Sequence, residues 1–131
     1  MKKLIILITI LFLSTSLSAI EKLKSLDQLK QHKIVFLVFE RNGCPWCYKY
    51  KDEIEVFTMQ KYKYEMKFFK IKKGSEVFSA FIREFNKKII IYPMTYIIKL
   101  NKDNNPKIIE ETYGYQREEY LDELIQKVLK K

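Results

Sequence analysis

The chain has 131 residues, with 25 Lys and Arg against 16 Asp and Glu, a formal net charge of +9, two cysteines and one histidine. That length holds one domain with a single core, and so few soft ligands exclude a complete tetrahedral His/Cys zinc site. The lysines are scattered rather than clustered or interleaved with aromatics, which argues for solvated faces and against a nucleic-acid surface.

Lys2 and Lys3 precede an apolar run from Leu4 to Leu13 and then the small, polar stretch Ser14 to Ala19. This is the layout of a secretory signal peptide. Residues 1–19 are therefore expected to be removed, by cleavage after Ala19 or Ser18, leaving a soluble exported domain over 20–131. The competing reading, an uncleaved anchor, has an apolar run short for a bilayer span. Twenty-three basic and sixteen acidic residues remain, a net charge of +7, which gives weak attraction to acidic partners or anionic lipid.

Ser25-Leu-Asp-Gln28 carries a capping pattern and opens a short helix over about 25–31. His32 follows it, at the far end of the next strand from the cysteines, and reads as a surface or helix-end residue. The run Ile34 to Phe39 predicts a strand buried on both faces. Asn42-Gly43 breaks it, and Cys44-Pro-Trp-Cys47 comes next. Behind the cysteines, Cys47, Tyr50, Ile54 and Phe57 recur at helical spacing, predicting a helix to about residue 60 with these four facing the core. A second strand is expected over 66–72, where both alternating sets contain apolar residues. Gly74-Ser75 opens a helix striped by Val77, Phe78, Phe81, Ile82 and Phe85. Pro93 stands at the entrance of a strand through Leu100, where its missing N–H is tolerable. The turn cluster 101–106 returns the chain as an antiparallel partner over 107–112. Tyr120, Leu121, Leu124, Ile125, Val128 and Leu129 mark a C-terminal helix.

This order, α-β-α-β-α-β-β-α, predicts an α/β domain with a mixed central sheet and helices on both faces. Cys44 falls at a helix mouth just past the C-terminal end of a central strand, where free backbone N–H groups and the helix dipole favour a thiolate. Cys44 is thus the expected accessible nucleophile, and Cys47, on the buried face with Tyr50, the resolving thiol. A bridge spanning two residues constrains the unfolded chain little, so redox chemistry explains the pair better than stapling. Pro45 suits the first helical turn. Trp46 belongs at the rim, either partly packed or offering an apolar contact to substrate polypeptide. Arg41 and Glu40 stand close enough in sequence to adjust the local potential.

A buried strand, a Cys-Pro-Trp-Cys segment and an amphipathic helix in this order resemble the thioredoxin superfamily. Phe39 to Cys47 looks most like the small exported thioredoxin-like proteins, including SoxW-type proteins. The resemblance covers nearly the whole mature chain. It implies the thioredoxin fold, with an extra N-terminal strand over 20–24. It also implies a cis-proline at Pro93 facing the cysteines, Tyr92 pairing with substrate backbone, and Gly114 leaving room for substrate. The implied activity is exported thiol–disulfide exchange with protein substrates. That activity needs no metal or organic cofactor, uses a membrane or periplasmic redox partner, and is compatible with a monomer. Val38 departs from the family, which carries a buried acid at that position. Gly43 stands in place of Trp, and Pro-Trp in place of Gly-Pro. These departures bear on proton transfer and redox direction, with reductant favoured over oxidant. The alternative is a non-catalytic binding or adaptor module whose cysteine pair takes a soft metal.

Overall fold

The computed structural model of the protein describes residues 19–130. The leader expected over 1–19 lies, but for Ala19, outside them. A five-stranded sheet runs β1 (Glu21–Lys22), β3 (Lys67–Lys72), β2 (Ile34–Glu40), β4 (Met94–Leu100), β5 (Pro106–Tyr113) in spatial order. β1 and β2 pair parallel to β3, whereas β4 pairs antiparallel to both β2 and β5. The helices are α1 (Pro45–Glu53), α2 (Met59–Tyr62), α3 (Glu76–Phe85) and α4 (Glu118–Leu129), and a 3-10 helix (Leu26–Gln31) precedes β2.

β2 is central because it is apolar on both faces. Phe36 and Val38 point to one side, with Phe68 and Ile97, and meet Tyr50, Ile54, Met59, Leu121 and Ile125 from the helices. Val35, Leu37 and Phe39 point to the other, with Phe69, Ile71, Tyr96 and Ile98, and meet Phe81 and Leu29. The result is a three-layer sandwich in which the period-2 alternation of a strand feeds two cores. Phe81 anchors the second core, edge-on to Phe39 at 4.8 Å and tilted against Tyr96 at 5.5 Å. Truncating it to Ala would cost about 3–5 kcal/mol.

Local signals set the element ends. Ser75 Oγ accepts from Phe78 N at 3.2 Å to cap α3, and Asn86 closes that helix in the left-handed region at φ 50°. Asn101 Oδ1 accepts from Asp103 N at 2.9 Å and Asn105 N at 3.0 Å, tying the β4–β5 turn. Gln28 Oε1 accepts from Lys24 N at 2.6 Å, holding the start of the 3-10 helix.

One expectation for the helix behind the cysteines is corrected. A π-helical turn, Ile54–Thr58, links α1 to α2. Its wider turn advances the inward stripe by one residue. Phe57 is therefore 48 % exposed rather than in the core, while Thr58, Met59 and Tyr62 are buried. The Ile89 to Ile91 run forms no strand, and its Ile90 and Ile91 are exposed. Among the described residues no helix is long and apolar enough to cross a membrane.

Candidate active site

Cys44 and Cys47 form a disulfide at the start of α1, beyond the C-terminal end of β2. Two features of the sequence place it there. Gly43 adopts φ +67°, a left-handed turn that glycine enters without a Cβ penalty, and it brings the chain off the strand. Pro45 then occupies the first helical position, where a missing N–H costs nothing. Cys44 is the N-cap, and its Sγ accepts from Cys47 N at 3.2 Å. Arg41 Nη1 donates to the carbonyls of Asn42 at 3.2 Å and Gly43 at 3.4 Å, bracing the connecting loop. Glu40 turns towards Lys70, 4.0 Å away.

Both cysteines are only 2 % exposed. For Cys47 this is as expected. For Cys44 it corrects the expectation of an accessible sulfur. Cys44 Sγ lies 3.9 Å from the carbonyl oxygen of Tyr92, in the segment before β4. The Tyr92–Pro93 peptide is cis and Pro93 is buried. The Gly114 N–H donates to the Pro93 carbonyl at 2.7 Å, joining the end of β5 to this loop. Gly114 sits at φ +74°, and a Cβ there would come within 3.9 Å of Ile91 Cγ2, an ordinary contact. Its glycine is thus required by backbone conformation more than by crowding from the protein itself. Tyr92 is half-buried, and desolvation raises its phenol pKa, with Arg41 acting in the opposite sense.

Trp46 is 56 % exposed at the rim. Its ring lies 5.4 Å from that of Tyr115, whose hydroxyl donates to Glu53 on α1. Sequence reasoning missed Tyr115. Its position one residue past Gly114 was the available signal. It also missed the polar pair beneath the cysteines, where Tyr50 and Thr95 hydroxyls lie 2.7 Å apart. Val38, at the position where the resemblance puts a buried acid, is 4 % exposed and stands opposite Thr95 in the β2–β4 register. Beside Val38, α1 and β4 therefore meet through a neutral hydroxyl pair.

Among the described residues no group of three or more His, Cys, Asp or Glu is arranged to hold a metal ion. A soft metal would find the two sulfurs alone, half a tetrahedral set.

No protein-family model matches the sequence, and no curated protein matches it. Solved structures do match the fold. Mitochondrial thioredoxin 3 from Saccharomyces cerevisiae, in its oxidized form, is 19 % identical and superposes with a TM-score of 0.64 over 82 % of this chain and 94 % of that one. A thioredoxin from Plasmodium falciparum is 20 % identical, with a TM-score of 0.64 over 82 % and 98 %. The Drosophila germline-specific thioredoxin Deadhead is 15 % identical, with a TM-score of 0.62 over 82 % and 98 %. The fold is the thioredoxin fold, a mixed five-stranded sheet with helices on both faces and a Cys-Pro-Trp-Cys disulfide at a helix start.

Proposed function

We propose that this protein is an exported thiol–disulfide oxidoreductase that reduces disulfides in protein substrates. The observation that carries the reading is the Cys44–Cys47 disulfide at the N-cap of α1, with Tyr92 O 3.9 Å from Cys44 Sγ. A pair at a helix N-terminus beside a loop that can approach substrate backbone is built to open and close. In the reduced protein the Cys44 thiolate attacks one sulfur of a substrate disulfide. The S–S bond breaks, the other substrate sulfur leaves as a thiolate, and a mixed disulfide forms. Cys47, deprotonated, then attacks Cys44 Sγ, and the second substrate sulfur leaves. Two electrons and, after protonation of the leaving thiolates, two protons have passed to the substrate, and the protein is left in the disulfide form. A dithiol electron donor, at the membrane or in the exported compartment, restores the thiols.

Burial of Cys44 fits this cycle when substrate replaces the Tyr92 carbonyl contact on Cys44 Sγ. Export is supported by the Lys-Lys, apolar and small-residue order of the first nineteen residues, and by the SoxW-like look of residues 39–47. The domain is taken to act as a monomer.

The test is a redox titration together with an exchange assay on a protein disulfide. A potential near about −270 mV supports the reductant, and one near about −120 mV would turn the direction to oxidant. Absence of exchange at any potential would overturn the activity.

A further inference from the structure

Beside the disulfide lies a groove that the exchange chemistry leaves unused. Trp46, Lys49, Tyr115, Gln116, Arg117 and Tyr120 line it, around a volume of about 510 Å³. Its aromatic wall is fixed. Tyr115 donates its hydroxyl to Glu53 and meets Tyr50 at 5.9 Å. Lys49 Nζ stands over both aromatic faces, 5.4 Å from the Trp46 ring and 5.1 Å from the Tyr115 ring. The charges lining the groove are both positive, Lys49 and Arg117, and no carboxylate lines it. Two carboxylates act at its edge without lining it: Glu53 accepts from Tyr115, and Glu119, on the first turn of α4, also bears on that phenol. Among the described residues neither Lys49 nor Arg117 enters an ion pair.

We propose that this groove is a specificity subsite for an acidic side chain on the substrate polypeptide, two or three positions from the reacting cysteine. Lys49 and Arg117 supply the charge partners, and Trp46 and Tyr115 supply the apolar wall along the side chain's stem. The proposal rests on the exchange activity above and deepens it. Its geometry follows from the helix. Lys49 stands five residues after Cys44, a rise of about 7.5 Å. An extended peptide advances about 3.3 Å per residue, so one laid along α1 from a cysteine at Cys44 brings its second or third neighbour over the groove. The surrounding cations on an aromatic floor select a carboxylate by complementarity and repel a lysine.

The experiment measures second-order rates of exchange between the reduced protein and disulfide peptides of equal length. The peptides carry Glu, Gln or Lys at the second and third positions on either side of the cysteine. The Glu peptide is expected to react about fivefold faster than the Lys peptide on one flank, as two solvent-facing ion pairs allow. That ratio should fall towards one in about 1 M salt. Lys49→Glu with Arg117→Glu should reverse it. Lys102→Glu with Lys107→Glu, the same charge change at the turn end of the β4–β5 hairpin, should leave it intact. Equal rates for the Glu and Lys peptides would overturn the subsite. So would an equal loss of preference in both double variants, which would assign it to net charge. No exchange with any peptide would overturn the underlying activity, and the subsite with it.

Discussion

Tyr50 and Thr95 share a hydrogen bond of 2.7 Å in the core, one helical turn along from Cys47. The pair joins α1 to β4, and both residues are fully buried. Each hydroxyl satisfies the other. Tyr50→Phe leaves the Thr95 hydroxyl without this partner, and a loss of about 1–2 kcal/mol is expected by denaturant unfolding. Adding Thr95→Val should recover part of that loss, because no polar group is then stranded. A double variant as unstable as the sum of the two singles would show that the hydrogen bond is not what couples them.

Burial also holds these phenols neutral. Desolvation pushes the Tyr50 pKa well above its ordinary value, against a smaller opposing effect of the Thr95 bond. It pushes Tyr96 up to about 12, with the negative charge of Glu111 adding to the shift. A folded-state pKa above the unfolded one of about 10 means that stability is fully present below about pH 10. It is lost as pH rises towards the folded values. Absorbance titration should therefore show late-ionising tyrosines whose appearance coincides with loss of near-ultraviolet circular dichroism. Complete, reversible ionisation of all tyrosines near pH 10 without unfolding would contradict the burial argument.

The parts of the fold that could be read from the sequence are those in which one local pattern dominates. Ile34 to Phe39 is apolar without a break, and it forms the central strand β2. Ser75 and Asn101 announce a cap and a turn by side-chain chemistry, and both act as such. What local pattern does not mark depends on long-range partners. β1 is two residues long and pairs with Phe69 and Lys70; only the family resemblance points to a strand over 20–24, and Glu21–Lys22 falls within it. Phe57 fits a helical stripe, and only the π turn rotates it out. Tyr50 sits in an apolar stripe, so its hydroxyl partner 45 residues away was invisible. Cys44 was placed correctly along the chain. Its contact with the Tyr92 carbonyl, 48 residues on, is one that no local pattern announces.

The two sulfurs differ in surroundings, and so should their variants. Cys47→Ser is expected to accumulate mixed disulfides with protein substrates, because the second attack is lost. Cys44→Ser should accumulate none, since only Cys44 stands at the N-cap, where the helix N-terminus and the Cys47 amide favour an attacking thiolate. Non-reducing electrophoresis of the two variants decides it, and adducts on Cys44→Ser alone would reverse the roles. In the reduced wild type, Cys44 should alkylate first at mildly acidic pH, by about tenfold, owing to the helix N-terminus and the Cys47 amide.

Ile20 provides a test of maturation. Its side chain is 4 % exposed, and its backbone nitrogen donates to Glu55 Oε2 at 2.8 Å, while Lys51 approaches Oε1 at 3.4 Å. With the proposed cleavage after Ala19, that nitrogen becomes the terminal ammonium. A carboxylate beside it raises its pKa above the ordinary value of about 7.7–8.0. The added stability is then present below about pH 8 and disappears as pH rises through the raised folded value. A chain starting at Ile20 should melt higher than its Nα-acetylated form at pH 6, by about 0.5–1 kcal/mol, and the gap should close by pH 10. Glu55→Gln should shrink the gap at pH 6. A gap independent of both pH and Glu55 would sink the assignment.

Cys44 Sγ has a donor on one side, Cys47 N–H at 3.2 Å, and an acceptor on the other, the Tyr92 carbonyl at 3.9 Å. Once the bridge is open, these two neighbours suit opposite forms of the same atom. A thiol can lend its proton to the carbonyl, whereas a thiolate turns to the amide and is repelled by the carbonyl oxygen. Losing one proton thus unties the sulfur from the loop before β4 and frees the Tyr92 carbonyl for another donor. The step that arms the nucleophile is the same step that gives up its contact with that carbonyl.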